Sequence, residues 1–200
     1  GMTDGKTPNH CRLSRVNILE STYASLERMG TDAIEVMQFH KFDGSTPVEE
    51  SLMAVEDLIS QDIIRYFGVS NFTVEDLKSY FAYEDELRRS RIQSVQNRFD
   101  MLYGESEGFT GVMQFCEEES LSFIPWGPLR QGLLTERYLD KAKVRPGDRL
   151  LDENMLDSEL TAPVLGKLNK LAVKAEKYHI SLAQLSIAYL LQLPAMGPVI

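Results

Sequence analysis

Residues 34–43 read IEVMQFHKFD. Ile34 to Phe39 form an apolar run too short for a helix of its own, bounded by Gly30-Thr31-Asp32 on one side and Asp43-Gly44 on the other. A short run between turn-forming residues predicts a strand over 34–39. His40 then stands at the strand's end. A hydrogen-bonded structural histidine and a polar group aimed into an active site both fit that position, so the neighbouring segments must decide.

Upstream, Ser14 can cap a helix over 14–29 in which Leu19, Tyr23 and Leu26 share one face and Gly30 provides the stop. Downstream, TPVE predicts a second helix, with Thr46 as N-cap, Pro47 at the first helical position and Glu49 closing a capping box. Val48, Leu52, Val55 and Ile59 form its apolar stripe. IIRYFGVSN then gives a strand over 63–69, and Thr73 with Asp76 opens a short helix. RIQSVQ reads as a third strand, 109–119 as a weaker helix, and LSFIP at 121–125 as a strand stopped by its proline. The stretch 126–160 is rich in Gly, Pro and charge and is expected as a long loop, hence a candidate binding element. Helices follow over 162–178, with Leu165, Leu168, Leu171 and Ala175 inward, and over 182–192 after the Ser181/Gln184 capping box. The terminal GPVI opens a further strand. Strands alternating with helices, on connections long enough for crossovers, imply a parallel sheet covered by helices, so the class is α/β.

Composition narrows the partners. In 200 residues, 43% hydrophobic, the net charge is −9 and the pI about 4.9. Nucleic acid and anionic membrane need a dense cationic surface, so a small molecule or a protein is the expected partner. Cys11 and Cys116 lack metal spacing and suit a reducing cytosol. No apolar run approaches a membrane span, and the polar start lacks a signal-peptide core, so the expected location is cytoplasmic. Residues 1–200 read as a single domain, with 1–13 a flexible N-terminal segment and Gly1 a remnant of tag cleavage.

The polar residues gather at the C-terminal ends of the expected strands: His40 after the first, Ser70 and Asn71 after the second, Gln96 after the third, Trp126 after the fourth. That edge is where parallel α/β folds bind ligands. Neither G-x-G-x-x-G after a strand nor G-x-x-x-x-G-K-[ST] occurs, which disfavours a doubly wound nucleotide fold and favours a barrel mouth. Taken singly, Asn71 also fits a turn residue, Gln96 a plain strand-end polar group and Trp126 a rim aromatic. The loop acids Asp148, Asp152 and Glu153 read as a solvated face.

TDAIEVMQFH, IRYFGVSNF, VQNRFDML, PWGPLRQGLLTERY and SLAQLSIAYLL resemble, in that order and spacing, the aldo-keto reductases, (β/α)8 TIM barrels that reduce carbonyls with NADPH. The resemblance implies roles. His40 matches the catalytic histidine that hydrogen-bonds the substrate carbonyl; Ser70, Asn71 and Gln96 match side chains that hold the nicotinamide carboxamide. Trp126 matches an aromatic ring against the nicotinamide, and Gly127, Pro128, Leu129 and Gly132 match the loop passing close to the pyrophosphate and ribose. The resemblance implies no metal and, as substrate, a small aldehyde or ketone. The family's catalytic tyrosine, its lysine and the supporting aspartate would fall before residue 14, and none of Tyr23, Tyr66, Tyr80, Tyr83 or Tyr103 matches that tyrosine. The chain therefore resembles strands four to eight of an incomplete barrel and is expected to be truncated and inactive alone. Open sheet edges at 34–40 and 197–200 would then need cover, by self-association, residual flexibility or rearrangement of the terminal segments. A non-catalytic nicotinamide-binding module, as in the channel β-subunits that resemble the same family, and an inactive fragment are the rival expectations.

Overall fold

The computed structural model describes residues 12–84 and 91–200. The expected flexible segment 1–13 and Cys11 lie outside these residues, except Arg12 and Leu13. Leu13 is buried, and its N–H donates to Asp43 Oδ2 at 2.9 Å. The strands are β1 (Ile34–Phe39), β2 (Ile64–Ser70), β3 (Ile92–Asp100), β4 (Gly104–Glu105) and β5 (Ser122–Trp126). The α-helices are α1 (Arg15–Met29), α2 (Val48–Ser60), α3 (Val74–Glu84), α4 (Val112–Glu118), α5 (Arg149–Asp152), α6 (Leu156–Glu159), α7 (Ala162–Lys177) and α8 (Leu182–Leu190). β1 pairs in parallel with β2, and β2 with β3; β5 also pairs with β3, and β4 is a short antiparallel addition. The result is a parallel sheet alternating with helices, the pattern of a partial TIM barrel. Among the described residues the sheet is open and does not close on itself.

Contacts divide the chain into two compact units, Gly1–Asn97 with Glu107–Phe123, and Arg98–Ser106 with Ile124–Ile200. In the first unit, register alternation sends Met37, Phe39, Phe67 and Val69 to one sheet face. There Phe39 meets Phe67 edge to face at 4.7 Å, and Leu52, Val55, Leu58, Leu77 and Tyr80 complete the core. The second unit has its own core, Leu133, Leu134, Tyr138, Leu150, Leu160, Val164, Leu168 and Leu182.

Several local expectations are corrected. In α1 Leu26 is buried as expected, but the rest of the buried line is Ile18 and Thr22 in place of Leu19 and Tyr23, and Tyr23 is exposed. Thr22 can be buried because its hydroxyl donates to Ile18 O at 2.7 Å. Thr46 does not cap α2: its hydroxyl donates to Asp43 Oδ2 at 2.6 Å, and Pro47 occupies the cap position without a side-chain bond. The capping boxes at Thr73/Asp76 and Ser181/Gln184 form as expected. Pro125 does not stop β5. It lacks a ladder donor, yet its carbonyl accepts from Ile200 N at 3.0 Å, so the strand continues to Trp126. The stretch 126–160 is folded into short 3₁₀ turns plus α5 and α6, because its leucines supply the second unit's core. Asp148 is buried and paired with Arg137 at 3.1 Å, whereas Asp152 and Glu153 are exposed as expected.

Candidate functional site

In the first unit, Phe39 pairs with Val69, and Ser70 with Gln96. His40, one residue past Phe39, is therefore level with Ser70, and the three residues His40, Ser70 and Gln96 form a row across neighbouring parallel strands. Their side chains alternate away from the Phe39/Phe67/Val69 face, toward the face carrying Val36 and Tyr66, which are 45% and 54% exposed. His40 is exposed, Ser70 is buried and Gln96 half-buried. Gln96 is not the end of its strand, since β3 runs on to Asp100.

Asn71 ties this row together. Its backbone is left-handed, φ 56°, a conformation that asparagine tolerates better than most residues. In that geometry its Nδ2 donates to His40 O at 2.8 Å and to Ser70 Oγ at 3.0 Å, while its N–H is shared by Gln96 O at 3.1 Å and Asn97 Oδ1 at 2.7 Å. Asn97, 1% exposed, also donates to Phe72 O at 2.9 Å. Sequence reasoning passed over Asn97. The available signal was a polar residue between Val95 and Phe99 on the apolar phase of β3, where a buried amide needs partners. One row below, Gly68 lies so close to Ser94 that any side chain would collide with its hydroxyl and crowd Gln38 Cγ at 3.2 Å. The Ser94 hydroxyl is buried with no hydrogen-bond partner among the described residues.

The loop after β1 is closed by Asp43. Although burial opposes it, hydrogen bonds from the hydroxyls of Ser45 and Thr46 and the N–H groups of Leu13 and Ser45 hold this carboxyl well below the usual carboxylate range. Nearby Tyr80 moves the other way: burial pushes its phenol up, against a Ser51 hydrogen bond, with Asp43 and Asp76 adding to the rise.

In the second unit, β5 delivers Trp126, half-buried, with Ile200 bonded on both sides of it: Ile200 N to Pro125 O, and Gly127 N to Ile200 O at 3.1 Å. The terminal GPVI, expected to open a strand, is not a strand in the structure; what it contributes here is these two backbone bonds of Ile200. The guanidinium of Arg98 lies over the Trp126 ring, 5.6 Å from its centroid. Gly127 has φ 74°, Pro128 O accepts from the buried Ser186 hydroxyl at 2.9 Å, and Leu129 packs against the second unit's core. The chain then passes through three successive left-handed residues, Arg130 (φ 46°), Gln131 (φ 56°) and Gly132 (φ 93°). For the two non-glycine residues this costs roughly 1–2 kcal/mol each.

Arg130 holds that turn. Its Nη1 donates to Asp100 Oδ2 at 3.0 Å, its Nε to Glu159 Oε2 at 2.9 Å, and its guanidinium covers the Tyr103 ring at 4.1 Å. Burial by itself would lower the Arg130 pKa; the two carboxylates outweigh it and raise the value. Asp100 Oδ1 accepts the N–H groups of Leu102 and Tyr103. Sequence reasoning missed Arg130, Asp100 and Glu159, which are 30 and 29 positions apart and carry no local pattern. Among the described residues no cluster of three His, Cys, Asp or Glu could hold a metal ion, and no helix is long and apolar enough to cross a membrane.

The chain matches the model of the aldo/keto reductase family over residues 3–200. It is 31% identical over 183 residues to the aldo-keto reductase AMT2 of Alternaria alternata, which covers 89% of this chain and 48% of that protein. It is 29% identical to the versiconal hemiacetal acetate reductase of Aspergillus parasiticus, over 98% of this chain and 57% of the relative. A probable voltage-gated potassium channel subunit beta of Arabidopsis thaliana is likewise 29% identical, over 98% of this chain and 60% of the relative. The chain thus spans about half the length of the curated relatives it matches. With a parallel sheet that carries a histidine, a serine and a glutamine in one row, and a family match over nearly all its residues, the chain belongs to the aldo/keto reductase family.

Proposed function

We propose that these 200 residues carry the part of an NADPH-dependent aldo/keto reductase that orients the nicotinamide and the carbonyl of an aldehyde or ketone. The observation behind this reading is the row of His40, Ser70 and Gln96 across three parallel strands in a chain of that family.

The side chains fit a carboxamide. Ser70 Oγ accepts from Asn71 and keeps its own proton to donate; Gln96 offers both an acceptor and donors. Asn71 has both amide protons engaged by His40 O and Ser70 Oγ, which leaves Oδ1 to accept from a ligand N–H. When bound, the nicotinamide supplies the hydride. His40 would donate an imidazole N–H to the carbonyl oxygen, stabilising the negative charge that develops there, and the Asn71 bond to its backbone carbonyl fixes where the imidazole starts from. Trp126 offers a flat ring for stacking, and the turn containing Gly127, Pro128, Leu129 and Gly132 is proposed to lie along the pyrophosphate. None of Tyr23, Tyr66, Tyr80, Tyr83 or Tyr103 matches the expected proton donor, so protonation of the alkoxide is not assigned to these residues.

The test compares the 200-residue chain with one extended at both ends to the length of its relatives, using NADPH and an aromatic aldehyde. The short chain is expected to bind NADPH weakly and not to oxidise it. The extended chain is expected to turn over, and His40→Ala to lower kcat on the order of 10²–10³-fold. Absence of both binding and turnover in the extended chain overturns the proposal. Tight NADPH binding without turnover would instead favour a non-catalytic nicotinamide-binding module, a reading that the similarity to a channel beta subunit supports.

A further inference from the structure

Two arginines of the second unit lie near the end of β3, and they meet opposite surroundings. Arg130 sits inside the turn, yet Asp100 and Glu159 take its guanidinium and neutralise it. Arg98, two residues before Asp100 on the same strand, has no carboxylate partner among the described residues. Its guanidinium rests over Trp126, and its Nε is buried without a hydrogen-bond acceptor. A ring face offsets part of the cost of removing a guanidinium from water, but it accepts no conventional hydrogen bond. A buried donor left unpaired is unfavourable, so the site is short of one acceptor. For a planar fork of N–H groups the best-matched acceptor is a pair of anionic oxygens, and the adjoining indole offers apolar surface to whatever carries them.

We propose that Arg98 and Trp126 form a recognition site for an oxyanion borne on a flat ligand. The proposal deepens the reductase reading and rests on it for the ligand's source: a carboxylate on the carbonyl substrate, or a phosphate of the cofactor. In the first case the enzyme prefers carboxylated aldehydes or ketones; in the second Arg98 strengthens the cofactor grip.

Trp126 is the only tryptophan in the chain, so tryptophan emission, excited beyond the absorption of the eight tyrosines, reports on this site. Wild-type chain is titrated with benzoate, with its neutral isostere benzamide, and with pyrophosphate. An anion is expected to shift Trp126 emission in a saturable way, with benzamide binding at least about 10-fold more weakly than benzoate if the carboxylate source is right. Saturation by pyrophosphate and not by benzoate assigns the phosphate source. Arg98→Met, which keeps the apolar stem over the ring, should abolish the preference for anions, and Arg98→Lys should retain a weaker one because it keeps the charge and loses the fork. Circular dichroism checks that the variants are folded; if Arg98→Met is not, the benzoate-to-benzamide ratio and Arg98→Lys still decide. Equal binding of benzoate and benzamide with no response to pyrophosphate, or an anion response unchanged in folded Arg98→Met, overturns the proposal. No turnover enters these titrations, so an Arg98-dependent anion response in a protein whose extended chain reduces nothing would sink the reductase reading and leave this site standing.

Discussion

The two units hold their polar residues by different physics. In the first, Asn71 and Asn97 knit the ends of neighbouring strands with amide hydrogen bonds, and the parallel ladder already puts His40, Ser70 and Gln96 in line. In the second, a turn with two left-handed non-glycine residues is held by one arginine gripped between two carboxylates. The neutral network consists of short bonds between groups that the ladder has already brought together. The ionic clamp joins groups the ladder does not organise, and it works because burial removes the competing water. The difference teaches that one family of folds can position a row of side chains by register and a loop by charge, and the two arrangements should fail in different ways.

Replacing Arg130 is the most severe way to break the ionic arrangement. Arg130→Met leaves Asp100, whose side chain is 2% exposed, with Oδ2 unpaired, and releases a turn that is unfavourable on its own. Removing one partner from a buried pair costs roughly 3–5 kcal/mol. The expected result is a large drop in the urea midpoint, with hydrogen-exchange protection lost first among residues 129–134. Equal, simultaneous loss of protection in β1 and β2 would show that the units do not respond separately.

This contrast also explains what could be read in advance. The strand over 34–39, the helices after 161 and the capping boxes follow from patterns within a few residues, so they were legible. His40 and Ser70 were legible too, because residues at strand ends of a parallel sheet share an edge, whereas Gln96, expected at a strand end, joins their row only through the register of β3, which runs on to Asp100. Asn97 was half-legible, a polar residue on a buried phase whose partners, Asn71 and Phe72, come from another strand's end. The Arg130 clamp was not legible: its acids come from the end of β3 and from α6, and nothing in the intervening sequence marks them. Thr46 misled for a related reason. It has the right residue type and spacing for a cap, but the helix starts one residue later with Pro47 at the cap position, and the Thr46 hydroxyl is held in the preceding loop by donating to Asp43 Oδ2.

A smaller effect sharpens the neutral side. Asn97→Ala removes an acceptor from Asn71 N–H and a donor from Phe72 O, both inside the first unit. Asn71 N–H retains Gln96 O at 3.1 Å, so the loss is partial. A destabilisation of about 1–3 kcal/mol is expected, unaffected by ionic strength because no charge is involved. Hydrogen exchange at Asn71 should accelerate in the variant. If salt changed the difference between wild type and Asn97→Ala, the description of this network as neutral would be wrong.

The smallest effect concerns Asp43, the one charged tie in the first unit's loop and one made entirely with neutral donors. Its folded-state pKa lies below the unfolded value of about 3.9, so the folded state binds this proton less readily than the unfolded one. Stability from Asp43 is therefore fully present above that unfolded value and is lost as pH falls below about 4 toward the folded-state pKa. Asp43→Asn keeps the shape but removes the charge, and because each carboxylate oxygen accepts one backbone N–H and one hydroxyl, the new amide group gives up two acceptor relations. At pH 7 it should cost about 1–2 kcal/mol, the lower part of the range for charge-assisted bonds because solvent reaches the loop. Urea unfolding of both proteins at pH 7 and pH 3 checks this: the gap between them should narrow at the lower pH as the wild-type advantage titrates away. A gap of the same size at both values would mean that the ionised carboxylate contributes nothing, and that the loop is held by shape and not by the charge on Asp43.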